Sequence, residues 1–556
     1  MLREELKTLF NSDTECFYDN GISKTLLKLF DACILEHINE NNFAPEVLNV
    51  YKKFSKMKQE APEGMKNELF VTIRKFAKEQ SLSGSDFEPL VLFRFLMVKS
   101  KLIMDDYAFV GEHLAKLGYN DLAIEFMKLY EKFEQNKALM FITMANFYNL
   151  KLKNYKMAIK YYEKYLQLDA TKSVIYVIVG NLYSKVYGDK SLEDQVFYFE
   201  KAYKLKPDDR LILHGLAFCY EKLGKKEKAA FFYEKLLDNN PTSIDYYNYG
   251  AFLISCGDFK NGHKYFRYRF LIEDENLKYP LPNDVKKWDL ESDISDKTLL
   301  VHYEQGFGDT FMYCRFIPLL KRKAKKIIFV VQQNLYNLIK NSNIISEGIS
   351  VISDSENLSN LQYDASMALL DAPYALCIES RNIPYYEKYL DIEENKVLEY
   401  REKYIKSNNN LKIGIACAGD KSANYHGRDI DIEKFNILTG IKGIDIYSLQ
   451  FGIESKHPEI IDLGLTFKDF TDTAEAIKNM DLVISTDNVI LNLAGALGVK
   501  TIGLFNKQTN FRWFKLDDDN VGWYKSVKPL QADIQDDWGP VFSELVNIVA
   551  DISKNN

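Results

Sequence analysis

Five short patterns recur between residues 108 and 272 at a period near 34, and a chain that repeats itself at that length has few folds open to it. Gly118-Tyr119, Ala123 and Phe126 return as Asn154-Tyr155, Ala158 and Tyr161, then as Ser191-Leu192, Gln195 and Tyr198. Gly224-Lys225, Ala229 and Phe232 follow, and Gly257-Asp258, Gly262 and Tyr265 close the series. The anchors at 123, 158, 195, 229 and 262 are 35, 37, 34 and 33 residues apart. A small anchor lets two helices approach, and the aromatic residues fill the gap to the next pair. The pattern therefore predicts a solenoid of stacked helix pairs over residues 108–275. Pro207 and Pro241 fall where helices must stop. Residues 1–107 also read as helical, with Leu26, Leu27, Leu29, Phe30, Cys33 and Leu35 at helical spacing. They lack clean anchors, so degenerate repeats and a capping bundle both remain open.

Past Pro280 and Pro282 the period changes. Apolar runs of strand type occur at 299–303, 326–331, 349–352, 411–417, 444–449, 482–485 and 501–505, with helical patterns between most of them. Such alternation predicts parallel α/β sheets, in two sets covering 284–390 and 411–556 and bridged by the charged stretch 391–410. Two doubly wound halves would face a ligand with the carboxyl ends of their strands. The first set opens with a strand running into Glu304-Gln305-Gly306-Phe307-Gly308-Asp309, a glycine-bearing turn that offers backbone N–H groups and one carboxylate. In the second set a buried strand ends at Asp487-Asn488 before a helix opening at Val489 and closing at Gly498. That helix start suits a diphosphate, or else Asp487 and Asn488 simply cap it.

Composition narrows the function classes. The chain has 556 residues, enough for several domains, and a 46% hydrophobic content that supports real cores. Its net charge of −7 argues against non-specific nucleic-acid binding. No apolar run is long enough to span a membrane, and the first residues lack the apolar core of a signal peptide. Seven scattered cysteines, none in a Cys-x-x-Cys pair, read as reduced core residues and make a zinc site improbable. A cytoplasmic location is the expectation.

The motifs then add up to a resemblance. Trp288, Lys297 to Val301, the 304–310 loop, Ala418-Gly419, Arg428, Tyr447 to Gln450, Asp469, Thr473-Ala474, Asp481 to Ser485, Asp487, Leu493 to Gly498 and Arg512-Trp513 occur in order. Together they resemble the bacterial tetratricopeptide-repeat glycosyltransferases, whose catalytic half is similar to the heptosyltransferases. More distantly they resemble protein O-glycosyltransferases, including those acting on flagellin. The resemblance implies an α plus α/β chain: an all-α tetratricopeptide solenoid followed by a GT-B pair of doubly wound lobes. The N-lobe would take the acceptor and the C-lobe the nucleotide sugar. It implies an inverting reaction that needs no metal or cofactor, and a protein acceptor docked in the repeat groove, plausibly flagellin or another surface protein.

Carried over by position, Asp309 falls on the candidate base or acceptor-orienting group, and Gly306 and Gly308 on loop residues that let it approach the ligand. Asp487 and Asn488 fall near the sugar and diphosphate, with Val489 opening the phosphate-facing helix. Arg428 falls on a basic residue after the first C-lobe strand, Lys421 in the same loop is within reach of phosphate, and Arg512 falls beside the nucleobase or the phosphates. His302 is the second-choice base. The chain departs from the family at Asn492, where His is usual, and at Asn488, where Thr or Ser is usual; asparagine keeps hydrogen bonding but loses charge and proton shuttling. Two other readings stay open. One is a binding scaffold with a degenerate transferase half; the other is a transferase with a glycan or lipid acceptor.

Overall fold

The computed structural model describes residues 23–37, 63–82, 88–98, 102–272, 286–358, 361–419, 427–514 and 521–554, and a few single positions before residue 57. The chain divides into two compact units, Met1–Cys219 and Tyr220–Asn556. The division falls inside the repeat array, so the second unit takes in the last helix pair as well as both sheets.

In the first unit the helices Lys24–His37, Glu63–Leu82 and Glu88–Val98 precede the repeats. Two ion pairs with a buried member tie this region together: Arg94 to Asp31 at 2.7 Å, and Arg74 to Asp106 at 2.8 Å. The helix pairs Met104–Lys116 with Asn120–Phe133, Lys137–Asn146 with Tyr155–Leu168, and Ser173–Tyr187 with Leu192–Leu205 follow. Ala123 and Ala158 are wholly buried, as their place at the helix contacts requires. The exception at the third anchor has a local cause. Gln195 is buried, but its amide donates to the Gly188 carbonyl at 3.3 Å and the Ser191 hydroxyl at 3.1 Å, in the 3-10 turn that lengthens this repeat. Tyrosine hydroxyls link successive helices through glutamates: Tyr161 to Glu131 at 2.9 Å, and Tyr183 and Tyr198 to Glu163 at 2.9 and 2.7 Å.

In the second unit the helices Ser243–Ser255 and Phe259–Phe266 cross backbone to backbone at glycines. A Cβ on Gly250 would lie 2.5 Å from the Phe266 nitrogen and 2.8 Å from the Gly262 carbonyl oxygen. The crossing excludes any side chain there.

Two all-parallel sheets follow. The first has β1 (Ile294–His302), β2 (Ala324–Val331), β3 (Ile349–Ser353) and β4 (Ala365–Ala368) in the order β3-β2-β1-β4. The second has β5 (Leu411–Ala416), β6 (Ile444–Ser448), β7 (Ile460–Asp462), β8 (Leu482–Thr486), β9 (Thr501–Phe505) and β10 (Val527–Gln531) in the order β10-β9-β8-β5-β6-β7. Strand order reverses between β1 and β4 and between β5 and β8, and the carboxyl ends at such reversals are where open parallel sheets hold ligands. Both faces of the second sheet are covered, which is why β5 is buried along its whole length.

Three strands carry no clear signal in the sequence. β4 is four residues of Ala, Ser and Met, β7 is a three-residue edge, and β10 holds Pro529, which an edge strand tolerates. The 391–410 bridge contains the helix Glu394–Tyr404. Among the described residues no helix is long and apolar enough to cross a membrane.

Candidate functional site

The loop after β1 is closed by a one-sided cap. Gly306 precedes the helix Phe307–Cys314, and Asp309 in its first turn reaches back to accept the Gly306 N–H at 3.1 Å. Gln305 sits at φ 62°, a left-handed conformation that strains a residue with a side chain. The other Asp309 oxygen lies 2.8 Å from Nε of Arg512, in the loop after β9, and Arg512 Nη2 also donates to the Gln305 side-chain carbonyl. Residues of both sheets' loops are thus joined by one guanidinium.

Arg512 is itself held firmly. Asn510 Oδ1 accepts from Nη1 at 3.0 Å, the Phe511 ring lies 4.7 Å from the guanidinium carbon, and Trp523 Nε1 donates to the Arg512 carbonyl at 2.7 Å. Asp487, after β8, completes the group. Burial pushes its carboxyl up; a hydrogen bond from Trp513 and the positive charges of Arg428 and Arg512 oppose this, and Asp309 adds to the push. The Arg428 guanidinium occupies the space left by Gly419, where a Cβ would lie 2.6 Å from Nη2. Its Nε is buried with no hydrogen-bond partner among the described residues, and lies 3.9 Å from the Asp429 carboxylate. Among the described residues two guanidiniums and three carboxylates, Asp309, Asp487 and Asp429, therefore gather at the carboxyl edges of the sheets.

A carboxyl raised on folding lowers stability wherever it is ionised. The penalty is absent below the unfolded-chain value of about 3.9, grows as pH rises through the folded value, and is constant above it. Asp487→Asn should therefore raise the melting temperature at pH 7.5, by roughly 2–4 °C for each kcal/mol of penalty removed. The gain should shrink as the pH is lowered towards 4. A melting temperature lowered equally at both pH values would mean that the Trp513 hydrogen bond outweighs burial.

The remaining predicted residues fall elsewhere. Asn488 caps its helix, accepting from Ile490 N–H at 2.8 Å and Leu491 N–H at 3.4 Å. Asn492 is buried with its amide engaged inside the protein, Nδ2 on the Asn488 carbonyl at 3.1 Å and Oδ1 on the Tyr524 hydroxyl at 2.9 Å. Gly308 packs on that same helix: a Cβ there would lie 3.1 Å from Asn492 Nδ2 and 3.8 Å from the Val489 Cα. Its smallness serves the approach of two helices. Gly306 has open space around it, with only Asp309 within 4 Å of an added Cβ.

His302 follows the alternation of β1 onto the face of Leu300 and Val330, whereas Phe311 packs with Leu299 and Val301 on the other. Burial lowers its basicity, and its partners are the Tyr303 carbonyl and the charge of Asp354. The structure does not bring it to the Asp309 group. Lys421 lies outside the described residues.

Sequence reading also passed over Arg269. Its guanidinium is fully buried, bidentate to Glu304 at 3.0 and 2.7 Å, and 2.8 Å from Asp371. Glu304 follows β1 and Asp371 follows β4, so Arg269 spans the strand reversal of the first sheet. Burial pushes the Asp371 carboxyl up, Arg269 pulls it back, and Glu304 pushes it again. The hint in the sequence is a pair of arginines, Arg267 and Arg269, inside the aromatic run 265–270.

Residues 139–172 and 211–243 each match the tetratricopeptide repeat family. The chain carries tetratricopeptide repeats. It is similar to Protein FlbA of Caulobacter vibrioides, 22% identical over 392 residues that span 64% of each chain. Among solved structures, a glycosyl transferase family 9 protein from Veillonella parvula aligns with 46% of this chain and 91% of its own, at 12% identity and a TM-score of 0.34. YrrB, a TPR protein with an unusual peptide-binding site, aligns with 32% of this chain and 89% of its own, at 18% identity and a TM-score of 0.27. Scores this low carry no functional weight.

Proposed function

We propose that the protein is a glycosyltransferase of GT-B architecture that moves a sugar from a nucleotide-sugar donor to a Ser or Thr hydroxyl of a protein brought by the repeats. The observation that carries this reading is the convergence of Arg428, Arg512, Asp309 and Asp487 at the strand-reversal edges of two parallel sheets. In the reaction the acceptor oxygen bonds to the anomeric carbon as the bond from that carbon to the diphosphate breaks. The acceptor proton passes to Asp309, and the electron pair leaves on the diphosphate, held by Arg428 and Arg512. With two guanidiniums against the leaving group the reading requires no metal. Flagellin or another bacterial surface protein is the acceptor class to test first.

The rival reading is a binding scaffold on a decayed transferase. It is favoured by the internal engagement of Asn488 and Asn492 and by the mutual neutralisation of Asp309 and Arg512. A thermal-shift screen against nucleoside diphosphates and nucleotide sugars separates the two. A donor at 100 times its Kd stabilises the native state by about 2.7 kcal/mol, so a shift with one nucleotide series is expected. No shift with any of them would leave the scaffold.

A further inference from the structure

We propose that Arg512 is shared between two partners that exclude each other, the Asp309 carboxylate and the diphosphate of the donor, so that donor binding is what releases the base. The inference rests on the transferase reading and says how its site is gated.

Charge is the first reason. Asp309, Asp487 and Asp429, the last 3.9 Å from Arg428 Nε, already more than offset Arg428 and Arg512, and a diphosphate entering such a group gains little unless a carboxylate withdraws. Position decides which one. Asp309 is the carboxylate 2.8 Å from Arg512 Nε, and among the described residues its other tie is the Gly306 N–H at 3.1 Å. Arg512 cannot follow Asp309, being pinned by Asn510, Phe511 and Trp523.

The pair itself is built to exchange. Arg512 Nε is 2.8 Å from Asp309, yet its N–H makes no aligned hydrogen bond there. Gln305, the other residue that Arg512 holds on this loop, sits in a strained left-handed conformation. A phosphate oxygen on Arg512 would free both residues together. The base would then become available only after the donor is seated, and binding would be ordered, donor before acceptor.

Calorimetric titration of the full chain with ADP, GDP, UDP, CDP and dTDP tests this. For the diphosphate that binds, Asp309→Asn should tighten binding about tenfold and Arg512→Gln should weaken it about tenfold; each is about 1.4 kcal/mol. In the Arg512→Gln background, Asp309→Asn should change nothing. Asp309→Ser, which retains an acceptor for the Gly306 N–H, is measured alongside and should also tighten binding. The matching nucleoside without phosphates should bind all variants alike. Unchanged or weaker binding by both Asp309 variants, or tightening that persists without Arg512, overturns the exchange while leaving the transferase intact. If no diphosphate binds the wild type, the transferase reading falls and the exchange falls with it.

Discussion

Replacing Arg269 by Leu should lower the stability of the Tyr220–Asn556 unit by about 3–5 kcal/mol. The guanidinium is wholly buried between Glu304 and Asp371. Glu304 also accepts the Leu370 N–H at 3.1 Å, so it cannot swing away without orphaning a backbone donor. Two buried carboxylates would face each other, and one must take up a proton or the region must open. The triple variant Arg269→Leu, Glu304→Gln, Asp371→Asn should recover most of the loss, because it removes the charges together. Urea unfolding followed by tryptophan fluorescence is a selective readout, since all four tryptophans lie in this unit. A loss below about 1 kcal/mol, the range of exposed ion pairs, would mean that water reaches the triad.

Asp309→Ala should reduce sugar transfer by about 10²-fold or more, the usual contribution of a positioned base. Asp309→Asn is the sharper variant, because it keeps the size and the cap on Gly306 and removes only the charge. It should be nearly as damaging, even though the same change is expected to tighten diphosphate binding. Opposite signs for binding and turnover are what a base competing with the donor for one arginine produces; a residue that merely caps a helix would give neither. Wild-type turnover in Asp309→Asn would remove Asp309 as the base. Asp487, another carboxylate of the group, would be tested next, since His302 lies on the far face of its strand.

Much of the fold was legible because its signals are local. The anchors Ala123, Ala158, Ala229 and Gly262 announce the helix pairs, and Gln195, which breaks the pattern, is explained by hydrogen bonds within its own turn. The long strands read clearly, while β4, β7 and β10 are too short or too edge-placed to carry a pattern. The site was legible only in part, because its pairing is remote. Asp309 stands out in a loop, but nothing in the sequence says that it will meet Arg512 across two sheets. Asn492 stands at a position where the resemblance expects a ligand contact, yet its amide is taken up by Asn488 and Tyr524. The Arg269 triad draws on three segments whose common destination is set by the fold alone.

That triad determines where the gene can be cut. The change of period past Pro280 and Pro282 invites a truncation that keeps both sheets and discards every repeat. Such a protein would lose Arg269 and the helix Phe259–Phe266. Glu304 and Asp371 would be left without a counter-charge, and Phe511, Phe514 and Trp523, which pack on Phe266 and Phe259, would be laid bare. A cut in the Pro207 turn, ahead of the matched repeat 211–243, keeps all of these. Over evolutionary time the same arithmetic applies to duplication and loss. Repeats upstream of that cut can be lost without touching the triad, whereas losing the terminal pair removes Arg269.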